Sequence, residues 1–452
     1  MDTVNTPGTP PLPVSFGEAF RYWLKLGFIS FGGPAGQIAM MHQELVERRR
    51  WISERRFLHA LNYCMLLPGP EATQLAVYIG WMMHRTPGGI VAGTLFVLPS
   101  VFMLIALTWI YLAFGTLPVV AGILYGIKPA VTAIVVFAAY RIGSRALKNG
   151  LLRAMAGAAF VAIFAFDVPF PAIVLTAALL GYLGGRFAPE KFRTGGHGAA
   201  DKSYGAAIID DDTPPPAWAR FSWGRLIGYS AAGLALWGGA MALLAAQGGW
   251  QGTFTQMGWF FSKAALLTFG GAYAVLPYVY QGGVEHYGWL TGPQMIDGLA
   301  LGETTPGPLI MVVAFVGFVG GWTKQVFGPE ALALAGIAGG CVAAFFTFLP
   351  SFLFILIGGP LVEATHGEIR FTAPLTGITA AVVGVVINLA VFFAWHVLWP
   401  QGTQGSPFAG PFEWFSALIG LAAALALFRY KVGIMPAIGA CAAVGLGYTL
   451  LA

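Results

Sequence analysis

The chain has 452 residues, 57% of them hydrophobic and 10% charged, with a net charge of +5 and a mean hydropathy of +0.73. Soluble domains carry about 25% charged residues, so this balance excludes an ordinary soluble globular protein and indicates a polytopic membrane protein. Its positive charge is expected to serve topology and contact with the lipid bilayer, with no nucleic-acid partner. From the N-terminus, residues 1–15 form a polar, Pro-rich tail without a basic n-region, so no cleavable signal peptide is expected. Apolar segments follow at 16–40, 57–83, 88–114, 117–140, 151–166 and 170–185, making a first membrane repeat over 16–185. A polar linker, 186–222, carries Asp210-Asp211-Asp212 and Pro214-Pro215-Pro216 and is expected to be flexible, with solvated aspartates. A linking transmembrane helix at 223–247 leads into a second repeat, 255–452, with segments at 255–281, 294–320, 330–358, 372–399, 411–429 and 432–451. Stretches near 20 apolar residues are long enough to cross about 30 Å of hydrocarbon.

The two halves repeat their motifs. Phe31-Gly32-Gly33 recurs as Phe269-Gly270-Gly271, Trp51 as Trp289 and Pro68-Gly69-Pro70 as Pro306-Gly307-Pro308, all at one constant step along the chain. Leu98-Pro99-Ser100 recurs as Leu349-Pro350-Ser351 at a slightly longer step, which Gly126-Ile127 and Gly377-Ile378 share, as an insertion around Thr323–Leu334 would produce. The loop charge does not repeat: Arg48, Arg49, Arg50, Arg55 and Arg56 stand in the first copy, whereas no Lys or Arg lies between Gly271 and Pro308. Repeated spacing with reversed charge predicts an all-α polytopic membrane fold of two inverted-topology repeats, with broken or re-entrant helices, joined by a linker helix.

Basic clusters at 48–56, 141–153 and 186–225 are expected on the cytoplasmic side, with the linker 186–222 among them. Plain alternation cannot place them all there. It can if 57–83, interrupted by Pro68-Gly69-Pro70, and 16–40, interrupted by Gly32-Gly33-Pro34, dip in and return; 13 true crossings are the alternative. Non-helical backbone at membrane depth is tolerated only inside protein or along a wet cavity.

Proline stops a helix from continuing through it and starts a new one well. Pro70 and Pro308 are therefore expected to open half-helices whose free N–H groups point inward, as are the turns at Gly32, Gly33, Pro34, Gly270 and Gly271. Such N-termini bind anions without a full positive charge. Thr73, Gln74, Thr304 and Thr305 supply uncharged donors beside Pro68, Gly69, Pro306 and Gly307, and Lys25 and Lys263, each six residues before its FGG motif, are candidates for attracting an anion. Glu71 and Glu303 flank the two PGP turns on opposite sides; an intramembrane carboxylate is a candidate proton carrier. The cysteines Cys64, Cys341 and Cys441 are scattered and the histidines dispersed, so no metal site, disulfide framework or cofactor is expected.

The FGG and PGP segments, notably Leu67-Pro68-Gly69-Pro70-Glu71-Ala72-Thr73-Gln74 and Glu303-Thr304-Thr305-Pro306-Gly307-Pro308, resemble those of the chromate ion transporter family in its long, two-domain bacterial form. The resemblance implies a chromate exporter of the bacterial inner membrane that confers resistance and uses the proton motive force. The substrate would be chromate or a related tetrahedral oxyanion such as sulfate. The second copy has Ala272 where the first has Pro34, so the two FGG turns need not be equivalent. An uncoupled anion channel, a sulfate transporter of the same fold and a membrane-embedded enzyme remain alternatives; so does assembly as a homodimer.

Overall fold

A computed structural model describes residues 11–31, 33–192, 204–214, 216–269, 271–364, 372–402, 406 and 408–451. Without water to pair their amides, apolar segments this long must pair them internally, and they do so as helices. The first half contains α1 (Phe16–Ile29), α2 (Gly33–Met41) running into a π turn (His42–Arg48), α3 (Glu54–Cys64), α4 (Glu71–Phe114), α5 (Pro118–Ala146), α6 (Gly150–Phe166) and α7 (Phe170–Phe187). A short α8 (Pro189–Phe192) and the unpaired α9 (Trp223–Gly248) follow. The second half contains α10 (Thr253–Leu267), α11 (Ala272–Tyr280) with its π turn (Gln281–His286), α12 (Gly292–Thr304), α13 (Val312–Thr323), α14 (Leu332–Ala364), α15 (Thr372–Leu398), α16 (Trp414–Phe428) and α17 (Ile434–Leu451). Among the described residues, seven helices are long and apolar enough to cross a membrane. No strand forms among them; one isolated bridge joins Ile52 to Ile209. The protein is thus an all-α polytopic membrane protein.

The segments broken by glycine and proline are helical hairpins. After α1 and α2 the chain returns to its starting end: Arg49 bonds Glu18 at 3.0 Å and Glu44 at 2.8 Å, and Trp51 packs on Tyr22 at 5.2 Å. Burial acts to raise the Glu44 carboxyl, but Arg49 and Arg48 outweigh it and hold the group below its usual range. The second hairpin enters through α3 and leaves through the first arm of α4. It ends where α4 breaks at His84 and Arg85, beside the start of α1: His84 Nε2 lies 2.9 Å from the Val14 carbonyl and its ring 5.5 Å from that of Phe16. The second half closes its first hairpin with rings instead of charge, Tyr287 stacking on Trp289 at 4.5 Å and Trp289 meeting Phe260 at 5.4 Å. Tyr287 occupies the place in the second copy that Arg49 holds in the first, so the reversed loop charge has a packing counterpart.

The halves interlock. The long arm of α4 runs antiparallel to its counterpart α14: Gly93 faces the Phe352 ring, while Gly340 faces Ile105. Helices α6 and α7 pack on α15, and α16 and α17 pack on α5, so each half ends on the other. Small residues permit these close crossings, with Gly126 against the Cys441 carbonyl and Gly181 against Ala373 and Pro374.

The linker differs from the expectation of a flexible segment. Its residues 193–203 and Pro215 lie outside the described residues, but 204–214 dock on the loop between the hairpins. Ile208 and Ile209 donate backbone bonds to Arg50 and Trp51 at 3.0 Å each, and Ser53 N–H returns one to Ile209 at 3.0 Å. Arg56 donates to the Thr213 carbonyl, and Ser53 Oγ donates to Asp211 at 2.6 Å. The aspartates are not merely solvated: Asp210 accepts from the N–H groups of Ala207 and Asp211 at 2.9 and 2.8 Å.

Candidate functional site

The motif turns need glycine. Gly33, Gly69, Gly271 and Gly307 have φ of +67°, +120°, +101° and +103°, a region closed to most L side chains. Pro70 caps α4, and Pro308 caps the 3₁₀ turn Leu309–Met311 that leads into α13; neither start carries a side-chain cap. The N-terminus of α11 at Gly271 has none either. The other two predicted glycines, Gly32 and Gly270, lie outside the described residues.

Each PGP turn is completed by the other half. The Gly69 N–H donates to the Thr268 carbonyl at 2.7 Å, and the Gly307 N–H donates to the Ser30 carbonyl at 2.9 Å. Thr268 and Ser30 each directly precede an FGG motif and are equivalent positions of the two copies. Ser351 sits where a Cβ on Gly69 would fall, at 2.6 Å from its Oγ, and Ser100 sits against Gly307 in the same way. The FGG, PGP and LPS motifs of opposite halves therefore meet twice.

The two meetings differ in chemistry at the residue after each PGP. Glu71 places Oε1 3.7 Å from a Cβ position on Gly271, and its counterpart Leu309 comes within 3.0 Å of the same position on Gly33. Gln37 donates to the carbonyls of Ser30 at 3.1 Å and Gly307 at 2.5 Å, while Gln74 donates to Pro68 at 2.8 Å. Their counterparts in the second copy are Val275 and Val312. The hydroxyls of Ser30, Thr73 and Ser351, the amide oxygens of Gln37 and Gln74 and Oε2 of Glu71 are buried without a hydrogen-bond partner. Each unsatisfied buried group costs about 1–3 kcal/mol, and native proteins hold only a few per 100 residues. Six such atoms gather at the turns.

Glu303 is buried on α12 and accepts a hydrogen bond from Tyr273 on α11. Thr304 and Thr305 donate to Leu301 and Gly302, within their own helix turn, at 2.8 and 2.9 Å. Pro34 lies in the first turn of α2, and Pro68, Pro70, Pro306 and Pro308 frame the PGP glycines.

The lysines are not brought to the turns. Lys25 lies on the exposed face of α1, opposite Tyr22, Trp23 and Leu26. Lys263 reaches back to lie 5.7 Å over the Trp259 ring, away from the FGG motif. Both placements follow from the cost of an ammonium at depth, which a long stem relieves by turning outward. An apolar groove of about 490 Å³ between α5 and α15, lined by residues such as Val136, Leu147, Val383 and Ile387, contains none of the motif residues.

Sequence reasoning missed Ser30, Thr268, Gln37, Ser100, Ser351 and Tyr273. The serines of the LPS motif were already visible as a repeat, and Ser30 and Thr268 are polar residues at the step that relates the FGG and PGP motifs. Gln37 and Tyr273 have no polar counterpart and carried no such signal.

The chromate transporter family model matches residues 17–182 and 255–446. A chromate transport protein of Pseudomonas aeruginosa is 34% identical over 387 residues, 84% of this chain and 81% of its own length. A chromate transport protein of Cupriavidus metallidurans is 31% identical over 377 residues, 83% of this chain and 82% of its own. An uncharacterized transporter of Bacillus subtilis is 30% identical over 164 residues, 36% of this chain and 92% of its own length. No solved structure matches the chain.

Proposed function

The chain belongs to the chromate transporter family, and from that premise we propose that it exports chromate across the bacterial inner membrane, driven by the proton motive force. The observation that carries the proposal is the reciprocal completion of the two PGP turns, with uncapped helix starts and unpartnered hydroxyls gathered around them. A tetrahedral dianion needs several N–H and O–H donors in a low-dielectric site, and half-helix N-termini provide them without a buried cation. Gly33, Gly69, Gly271 and Gly307 let the backbone approach the ion, and Ser30, Thr73, Ser100 and Ser351 add hydroxyls. Glu71 and Glu303 are the proton-coupling groups: each is a carboxylate at one turn with an apolar counterpart, Leu309 or Met65, in the other half.

Repeats at 16–185 and 255–452, inserted in opposite directions and joined by α9, give this site its pseudo-symmetry. The antiparallel packing of α4 on α14 supports inversion, and the half-length Bacillus relative supports a fold unit of one repeat. In this arrangement both early hairpins of each half re-enter. Alternation of the remaining helices then puts the basic loops 48–56, 141–153 and 429–431 on the cytoplasmic side with the linker.

The test is chromate flux in proteoliposomes of the full chain, with and without an imposed pH gradient, with sulfate and molybdate as competitors. Wild-type flux is expected to follow the gradient, and Glu71→Gln and Glu303→Gln are each expected to abolish that dependence. Flux indifferent to pH gradient and membrane potential would show a channel. Gradient-driven flux unchanged in both variants would remove the two acids as carriers.

A further inference from the structure

An ion pair with a buried carboxylate lies outside the motif turns. Lys128 on α5 places Nζ 3.1 Å from Asp297 Oδ1 on α12, and Tyr111 near the end of α4 donates to Asp297 Oδ2 at 2.9 Å. The Asp297 side chain is 5% exposed and that of Lys128 32%. The Tyr111 ring also leans on Phe315 of α13 at 5.6 Å, so the cluster joins α4 and α5 of the first half to both arms of the α12–α13 hairpin.

Its place in the fold is one-sided. Asp297 lies between the start of α12 at Gly292 and Glu303, two turns before the PGP motif, and Tyr111 lies three residues before the end of α4. Both helix ends are at the end of the molecule opposite the linker. At the equivalent positions toward the linker stand His59, in the place of Asp297, and Thr379, in the place of Lys128. A carboxylate–ammonium pair cannot form there. Parting the pair leaves the buried Asp297 carboxylate uncompensated, so it opens only with an exchange of partners or the entry of water. An interaction between elements that must part during alternating access acts as a latch.

We propose that Lys128, Asp297 and Tyr111 form the latch that closes the anion pathway on the side opposite the linker, holding the α12–α13 hairpin against α4 and α5. This rests on the transporter function proposed above, but its test contains no substrate. Ala300, fully buried one turn beyond Asp297, is replaced by cysteine in full-length protein whose three native cysteines are substituted. The rate of modification by a membrane-impermeant thiol reagent is then measured from each side of the membrane.

Asp297→Asn in this background is expected to raise the rate from the side opposite the linker about tenfold, leaving the rate from the linker side unchanged. The charge-exchanged pair Lys128→Asp with Asp297→Lys is expected to return it toward the parent value. A rate that is unchanged, or that rises equally from both sides, in protein that remains monodisperse would overturn the latch. Where Asp297→Asn proves unstable, Tyr111→Phe removes one hydrogen bond while keeping the ring. It is expected to raise the same one-sided rate by a smaller factor, and no rise would overturn the proposal. Absence of chromate flux with a one-sided labelling response would instead count against the substrate and leave the latch standing.

Discussion

A methyl group at Gly307 meets two obstacles of different kinds. The backbone sits at φ +103°, where an L residue costs about 1–3 kcal/mol, and the new Cβ would collide with the Ser100 side chain. Gly307→Ala is therefore expected to lower thermal stability and to abolish transport. Adding Ser100→Gly removes the collision but not the strain, so the double variant should recover part of the melting temperature lost by the single one. Full recovery would mean that strain is absent, and no recovery that Ser100 is not what fills the space. The glycines were legible because a backbone constraint leaves a residue-type signature in the sequence. Lys25 and Lys263 show the converse: spacing placed them six residues before the FGG turns, but the side chains point outward, and rotamer direction leaves no such trace. The Lys128–Asp297 pair was illegible for a third reason: neither residue belongs to a repeated motif, and the contact joins residues from opposite halves.

The helical elements appear where apolar runs predicted them, because a segment in lipid must satisfy its backbone internally. The linker was misjudged on the same grounds. Its prolines and aspartates look solvated, but Ile208, Ile209 and Trp218 lie among them, and their partners in the loop 48–56 and at Arg85 are remote in sequence. Arg85 lies 4.9 Å over the Trp218 ring, so the docked segment touches the ends of both hairpins of the first half. Net backbone hydrogen bonds are worth about 0.5–1.5 kcal/mol each, enough to hold a strap but not to fix it permanently. Ile209→Asp is expected to release the segment, raising the rate of proteolytic cleavage within 204–219 about tenfold over wild type in membranes open on that side. Equal cleavage rates would show that the contacts do not hold it.

At the scale of the whole molecule, duplication was visible as a constant step between motifs, but a constant step does not say whether like meets like. The fold brings unlike motifs together, with the PGP turn of one half completed by the residue before the FGG turn of the other. That arrangement follows if the halves are related by a two-fold axis lying in the membrane plane. An axis along the membrane normal would leave equivalent helices parallel, whereas α4 and α14 run antiparallel. The consequence is testable at two exposed positions that the repeat makes equivalent, Arg55 at the start of α3 and Pro293 at the start of α12. In full-length protein lacking its native cysteines, Arg55→Cys is expected to react with an impermeant thiol reagent only from the linker side, and Pro293→Cys only from the opposite side. The charge asymmetry demands the same outcome, because five arginines crowd the first loop and none the second. Reaction of both from one side would leave the antiparallel pair α4 and α14 unexplained by inversion. The two PGP turns would then open to a single face, and alternating access could not arise from exchange between the halves.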